Sequence, residues 1–209
     1  MGRYRGPSCR LCRAEGNKLF LKGDKCSMEK CPFSKRQGLP PGQHGKIRKK
    51  ESNYGVQLRE KQKVKRMYGM LEKQFRHFFR MAERAKGVTG LTLLQLLERR
   101  LDNVIFRMCF ATSRSMARQM VQHGSVYVNS KRVDIPSYLV NVGETIEIRY
   151  REQRMKALKE INESLKDRAI PKWLELDREH LKAKITAFPT KEDVGFPIQE
   201  QLIVELYSK

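Results

Sequence analysis

Between Arg99 and Arg149 the spacing of apolar residues switches from a helical period to a period of two, which restricts the segment to short helices packed on a small sheet. Leu97, Leu101, Val104, Ile105 and Met108 recur at three and four residues and form one apolar stripe, with Arg100 and Arg107 off it. Ser113 can cap a second helix, in which Ala117, Met120 and Val121 face inward while Arg114 and Arg118 share an outward side. Gly124 supplies the stop. From Val126 side chains alternate: Val126 and Val128 point one way, Ser125, Tyr127 and Asn129 the other, and a turn leads to Val133 and Ile135. Alternation returns at Thr145-Ile146-Glu147-Ile148. The class this predicts is α+β, and arginines held in register on rigid helices suit a surface that reads a folded polyanion by shape.

Charge points the same way. The 209 residues carry a formal net charge of +21, and only 39% are hydrophobic, which is low for a compact enzyme. Such a chain repels itself unless phosphates or acidic lipids neutralise it. The charge is uneven: residues 1 to 50 hold fourteen Lys and Arg against Glu15, Asp24 and Glu29, whereas the last twenty residues are acidic on balance. Membrane attachment is the rival reading. No apolar run approaches the ~20 residues of a spanning helix, and the run from Val104 to Ala111 is broken by Arg107. There is no apolar signal core at the amino terminus, and Gly6 stands where a myristoylation site prefers Ser or Thr. A cytoplasmic protein bound to nucleic acid is expected.

Four of the five cysteines fall at Cys9, Cys12, Cys26 and Cys31, a spacing that suits a tetrahedral thiolate site. Residues 1 to 40 have few large apolar side chains (Leu11, Leu19, Phe20, Leu21, Phe33), so a metal could replace the missing core. Zinc is the leading assignment, and a four-iron, four-sulfur cluster is the alternative the same ligands would suit. Disulfides disagree with a reducing compartment, and four bare thiols in so basic a lobe would be reactive. Cys109, between Met108 and Phe110, reads as a buried inert residue.

Leu39-Pro40-Pro41-Gly42-Gln43-His44-Gly45 is a turn-rich linker leading into Lys46-Ile47-Arg48-Lys49-Lys50. It is not a nucleotide-phosphate loop, because Pro40 replaces the first glycine and Ile47 the following Ser or Thr. Ser52 or Asn53 can cap a helix through Leu58 and Val64, one side of which carries Arg59, Lys61, Lys63, Lys65 and Arg66 with Glu60 as its only acid. Phe75, Phe78, Phe79 and Ala82 then recur at helical spacing and read as core, not as base-stacking platforms. Charges alternate in sign through Arg151 to Arg168, with Met155, Leu158, Ile161 and Leu165 as a sparse stripe, predicting an exposed helix.

An enzyme would need an acid, base or nucleophile constellation in a protected pocket. His44, His77, His123 and His180 are scattered, and no paired carboxylates stand in an apolar setting. A DNA-reading zinc protein is the third class, but no helix shows a major-groove reading pattern.

Arg100-Leu101-Asp102-Asn103-Val104, Ser113-Arg114, Ala117-Arg118-Gln119, His123-Gly124, Val128-Asn129 and Val133-Asp134-Ile135-Pro136-Ser137-Tyr138 together resemble the S4 RNA-binding domain. Pro40 to Gly45, Tyr54 to Lys63 and Glu200 to Lys209 are similar to the bacterial small-subunit ribosomal protein four family, so the resemblance spans the chain. It departs at Asn129-Ser130, where that family usually has Asn-Gly, and this leaves the turn type open because serine tolerates positive φ poorly. The resemblance implies a lobe and linker over 1–45, a helical domain over 46–97 plus 183–209, and an inserted S4 module over 98–182. It also implies 16S ribosomal RNA as the partner, contact with ribosomal protein five, early assembly of the subunit body, an effect on translational accuracy, and regulation through the chain's own messenger in some bacteria. Lys46, Arg48, Lys49 and Lys50 take from it a place beside the channel by which messenger RNA enters the subunit. Cysteines are not general in that family, so a metal would be an optional staple.

A-form RNA hides its major groove, so a broad cationic face must grip phosphates and 2′-hydroxyls around a junction. The expected contacts are Arg3, Arg5, Arg59, Lys61, Lys63, Lys65, Arg66, Arg100, Arg107, Arg114, Arg118 and Lys131, with Ser113 and Asn129 as sugar-phosphate partners. His123 contacts RNA or simply ends its helix. On this reading Arg118→Ala lowers the salt slope of binding by about one.

Overall fold

The computed structural model describes residues 2–43, 50, 52–150, 158, 160–165 and 168–208. Its helices are α1 (Ser8–Glu15), α2 (Pro32–Lys35), α3 (Asn53–Met67), α4 (Glu72–Arg84), α5 (Thr89–Glu98), α6 (Leu101–Arg107), α7 (Arg114–Gln122) and α8 (Glu200–Tyr207). Its strands are β1 (Val126–Val128), β2 (Lys131–Arg132), β3 (Thr145–Ile148), β4 (Leu174–Asp177) and β5 (Lys182–Ile185). The chain divides into two compact units, residues 1–93 with 196–209 and residues 94–195, and the division falls within α5.

The first unit is helical and draws on both ends of the chain. Ser52 caps α3, its hydroxyl accepting from the Gly55 N–H at 3.1 Å. In α4, Phe75, Phe78, Phe79 and Ala82 are all buried, as their spacing requires. Tyr207 of α8 stacks on Phe79 with centroids 4.4 Å apart, and Ile203 of the same helix is buried. Gly90 is where α5 meets α8, because a Cβ there would stand 2.9 Å from the Glu200 Cβ.

In the second unit α6 and α7 pack on a five-stranded antiparallel sheet of order β2-β1-β3-β5-β4. The inner face supplies Val126, Val128, Ile146, Ile148, Ala183 and Ile185, which meet Leu101, Val104, Ile105, Ala117, Met120 and Val121 in one core. The two apolar stripes and the strand alternation therefore meet as expected, except that Leu97 lies on α5 and the first stripe is interrupted at the extended Arg100, which caps α6. Ile135 does not, being 54% exposed just beyond the short β2. Strands β4 and β5 are additions: the boundary expected at 182/183 cuts β5, whose pairing with β3 and β4 keeps the module's sheet continuous to Ile185. Of the helix expected over 151–168, residues 151–157, 159, 166 and 167 lie outside the described residues, while Leu158 belongs to the module core and so is not on an exposed face.

Asn129 and Ser130 both take positive φ, 47° and 66°, the pairing a type I′ hairpin needs. The Asn129 side chain stabilises the turn by accepting from the Thr145 N–H at 2.9 Å. Serine thus keeps the geometry that glycine would adopt more easily.

Candidate nucleic-acid interface

Where each cation lies depends on which carboxylates the fold brings to it. On α3, Arg59 reaches Glu15 at 3.4 Å and Arg66 pairs with the same carboxylate, whose side chain is 1% exposed. Burial pushes the Glu15 carboxyl upward, and the charges of Arg66 and Arg59 pull it only part of the way back. Lys63 pairs with Glu60 at 2.6 Å and donates to the Pro197 carbonyl at 3.2 Å. Lys61 and Lys65 both hold Glu72, at 2.8 and 2.9 Å, and the Tyr207 hydroxyl donates to it as well.

Burial raises the Glu72 carboxyl, but hydrogen bonds from Lys61, Lys65 and Tyr207 overcome it and bring the pKa from 4.5 down to about 2. A carboxyl depressed in the fold stabilises it above the unfolded value, and that contribution is lost as pH falls from about 4.5 toward 2. The Glu72→Gln variant is therefore expected to show a shallower fall of melting temperature across that acid window than the native chain. An identical acid limb would remove Glu72 from the account.

The module's arginines are more deeply engaged. Arg100 is fully buried, donating from Nε and Nη2 to the two Asp102 oxygens at 3.0 and 2.6 Å. Arg118, expected to face outward beside Arg114, is 3% exposed with Nη1 at 3.8 Å from Asp102 Oδ2. Off its own helix's apolar stripe, it points at α6 and not at water, so neither Arg100 nor Arg118 can touch a phosphate in this conformation. Arg107 clasps Glu98 through Nε and Nη2 at 2.9 and 2.7 Å and donates to the Val194 carbonyl at 2.6 Å. Arg114 donates to Asn103 Oδ1 at 2.7 Å and stacks over Phe106 at 4.5 Å. Ser113, 6% exposed, caps α7 by accepting from the Met116 N–H at 3.3 Å.

Cations on the outside are Arg3 and Arg5, Lys50, and Lys131 on the β-hairpin, with His123 at the exposed end of α7. Lys46, Arg48 and Lys49 lie outside the described residues. Sequence reasoning passed over Arg132, exposed beside Gly124 at the carboxyl end of α7. It also passed over Lys73, Arg76, Arg80 and Arg84, exposed on α4 opposite the phenylalanines, whose signal is that apolar stripe read from its other side. On the sheet's outer face Glu147 stands between Arg149 at 2.8 Å and Lys182 at 3.8 Å, and Arg149 covers Tyr127.

In the amino-terminal lobe the cysteines are free thiols, with Cys12, Cys26 and Cys31 buried and Cys9 half-buried. Burial raises the Cys12 thiol, and Cys26, Cys9 and Cys31 add to the rise, so the four sulfurs share one neighbourhood. Burial likewise raises Cys26 against the Lys22 N–H that its sulfur accepts at 3.3 Å. At Cys31 burial is outweighed by hydrogen bonds from the Ser34 and Phe33 N–H groups at the start of α2, which lower it. The donor chemistry suits zinc, but among the described residues no group of three or more His, Cys, Asp or Glu is arranged to hold a metal ion.

A unit of paired helices on a small antiparallel sheet and a helical unit with outward-facing cations define a polyanion-binding scaffold. Residues 3–98 match the family described as ribosomal protein S4/S9 N-terminal domain, and residues 99–146 match the S4 domain. Over its whole length, and over the whole of each relative, the chain is 59% identical to small ribosomal subunit protein uS4 of Caldicellulosiruptor saccharolyticus. It is 57% identical, again end to end, to that of a Thermoanaerobacter species, and 56% to that of Pelobacter propionicus. The chain belongs to the uS4 family of small ribosomal subunit proteins.

Proposed function

We propose that this chain is a non-enzymatic, structural protein of the cytoplasmic small ribosomal subunit, a primary binder of 16S ribosomal RNA that nucleates assembly of the subunit body. The observation that supports it most is the end-to-end identity with uS4 proteins, which spans both units. The physical support is a net charge of +21 together with exposed cations on separate elements. On this reading Arg3, Arg5, His123 and Lys131 touch the RNA, while Arg100, Arg107, Arg114 and Arg118 hold the shape of the module that presents them. Contact with ribosomal protein five, an effect on translational accuracy and a place for Lys46, Arg48, Lys49 and Lys50 beside incoming messenger RNA belong to the same proposal. No helix among the described residues is long and apolar enough to cross a membrane. Cross-linking in cells followed by sequencing of the attached RNA tests the reading: a dominant small-subunit ribosomal footprint is expected, and a footprint spread over other transcripts or over DNA would overturn it.

Zinc remains a proposal for the lobe, supported by four free thiols in one neighbourhood and by scarce apolar residues. Cys9, Cys12, Cys26 and Cys31 would hold it, and the ion would supply a cross-link in place of a core, as would an iron-sulfur cluster. Protein purified without chelator is expected to retain about one equivalent of zinc. Neither zinc nor iron near that level would end the proposal.

A further inference from the structure

We propose that Cys9 and Cys12 form a reversible redox switch on α1, closed into an intrahelical disulfide by exchange with a small acidic disulfide.

Both cysteines lie on α1 with two residues between them, so they share one side of its opening turns. Helical geometry sets their Cα atoms about 5 Å apart, inside the span that a disulfide accepts. Access divides their roles. Cys9 is half-buried and open to a solute, whereas Cys12 is 6% exposed. The first sulfur can therefore meet an oxidant that the second cannot, and the second can reach the first without unwinding the helix. Cys26 and Cys31 are buried and lie outside α1, at the end of the Gly23–Cys26 turn and just before α2, so neither shares a helix face with Cys9.

Local charge selects the reagent. Arg3, Arg5 and Arg10 are exposed, and no acid precedes Glu15, which Arg59 and Arg66 already hold. A carboxylate-bearing disulfide is drawn to such a lobe and a cationic one is repelled. A reducing cytoplasm keeps both thiols free until its disulfide content rises, and a switch of this kind responds to that rise.

The exchange runs in two steps. Deprotonated Cys9 Sγ attacks one sulfur of the small disulfide, forming a mixed disulfide and releasing one small thiolate. Cys12, giving up its proton, attacks Cys9 Sγ and expels the second. Two protein thiols are oxidised, one small disulfide is reduced to two thiols, and the two protons released are taken up by the two leaving thiolates. The bridge stands independently of the metal reading above. On that reading, oxidation also withdraws two of the four sulfur donors.

The test incubates the full-length chain with oxidised glutathione, alkylates the remaining thiols and maps the bridges by peptide mass spectrometry. A Cys9–Cys12 bridge is expected as the main product, with two of the five cysteines consumed, the buried Cys109 still alkylated after denaturation, and full reversal by dithiothreitol. Cys12→Ser should stop at the Cys9–glutathione mixed disulfide, and Cys9→Ser should slow glutathione uptake by about tenfold or more. Cystamine, a cationic disulfide, should close the bridge about tenfold more slowly than oxidised glutathione. An unreacted Cys9, a native chain that halts at the mixed disulfide, a main bridge to Cys26 or Cys31, or equal rates with the two reagents would each overturn the switch. A chain that bridges without carrying metal keeps the switch and ends the metal reading. A chain that holds its zinc and stays reduced does the reverse.

Discussion

Replacing Asp102 by alanine is expected to destabilise the module by about 3–5 kcal/mol, with a fall in melting temperature of at least about 10 °C. Asp102 is 4% exposed and lies between Arg100, 0% exposed, and Arg118, 3% exposed. It accepts two hydrogen bonds from Arg100 and faces Arg118 across the α6–α7 packing. Removing it takes an anionic partner from two buried guanidiniums, so the loss is one of desolvated charge and not of a single contact. Chemical denaturation of the Asp102→Ala chain checks this, and a cost under about 1 kcal/mol would show that the arginines are held by other means. The same geometry replaces the salt-slope expectation for Arg118: Arg118→Ala should lose stability, while the folded fraction keeps its RNA salt slope.

A second large effect is expected at Glu98, whose side chain is fully buried. It accepts from Arg107 Nε and Nη2 and from Asn103 Nδ2, the last at 2.7 Å, and Asn103 in turn accepts from Arg114. Glu98→Ala should cost about 3 kcal/mol or more, because it empties the centre of a network instead of trimming its rim. A double-mutant cycle with Arg107→Ala is expected to give a coupling near 1–3 kcal/mol. Additive losses would mean that the pair contributes no more than two separate side chains.

These two carboxylates explain where sequence reading succeeds and where it stops. The stripes of α4, α6 and α7, the caps at Ser52 and Ser113 and the β1 alternation are local signals, and each stands where its period places it. Periodicity tells which side of a helix is apolar, not what packs against the other side. Arg100 and Arg118 leave their stripes only to meet across a second interface. The available clue is compositional: Glu98 and Asp102, four residues apart, are acids within a strongly basic segment, and buried cations need such partners. Strands β4 and β5 were legible too, since Leu174-Glu175-Leu176-Asp177 and Lys182-Ala183-Lys184-Ile185 alternate. The outer positions of those strands are occupied by charges, which read locally as solvated coil. The cysteine spacing shows the opposite case: it gathers the four sulfurs without arranging three of them as ligands.

The helical unit takes its final wall from α8, where Tyr207 closes over the phenylalanines and Glu205 accepts from Gln57 at 2.8 Å. In ribosomal synthesis the whole of residues 94–195 emerges before that wall exists, so the contiguous module can collapse while α3 and α4 still await their lid. The nascent polypeptide therefore matures from its middle outward, and the phenylalanine side of α4 stays exposed to solvent or chaperones until the last turn has left the tunnel.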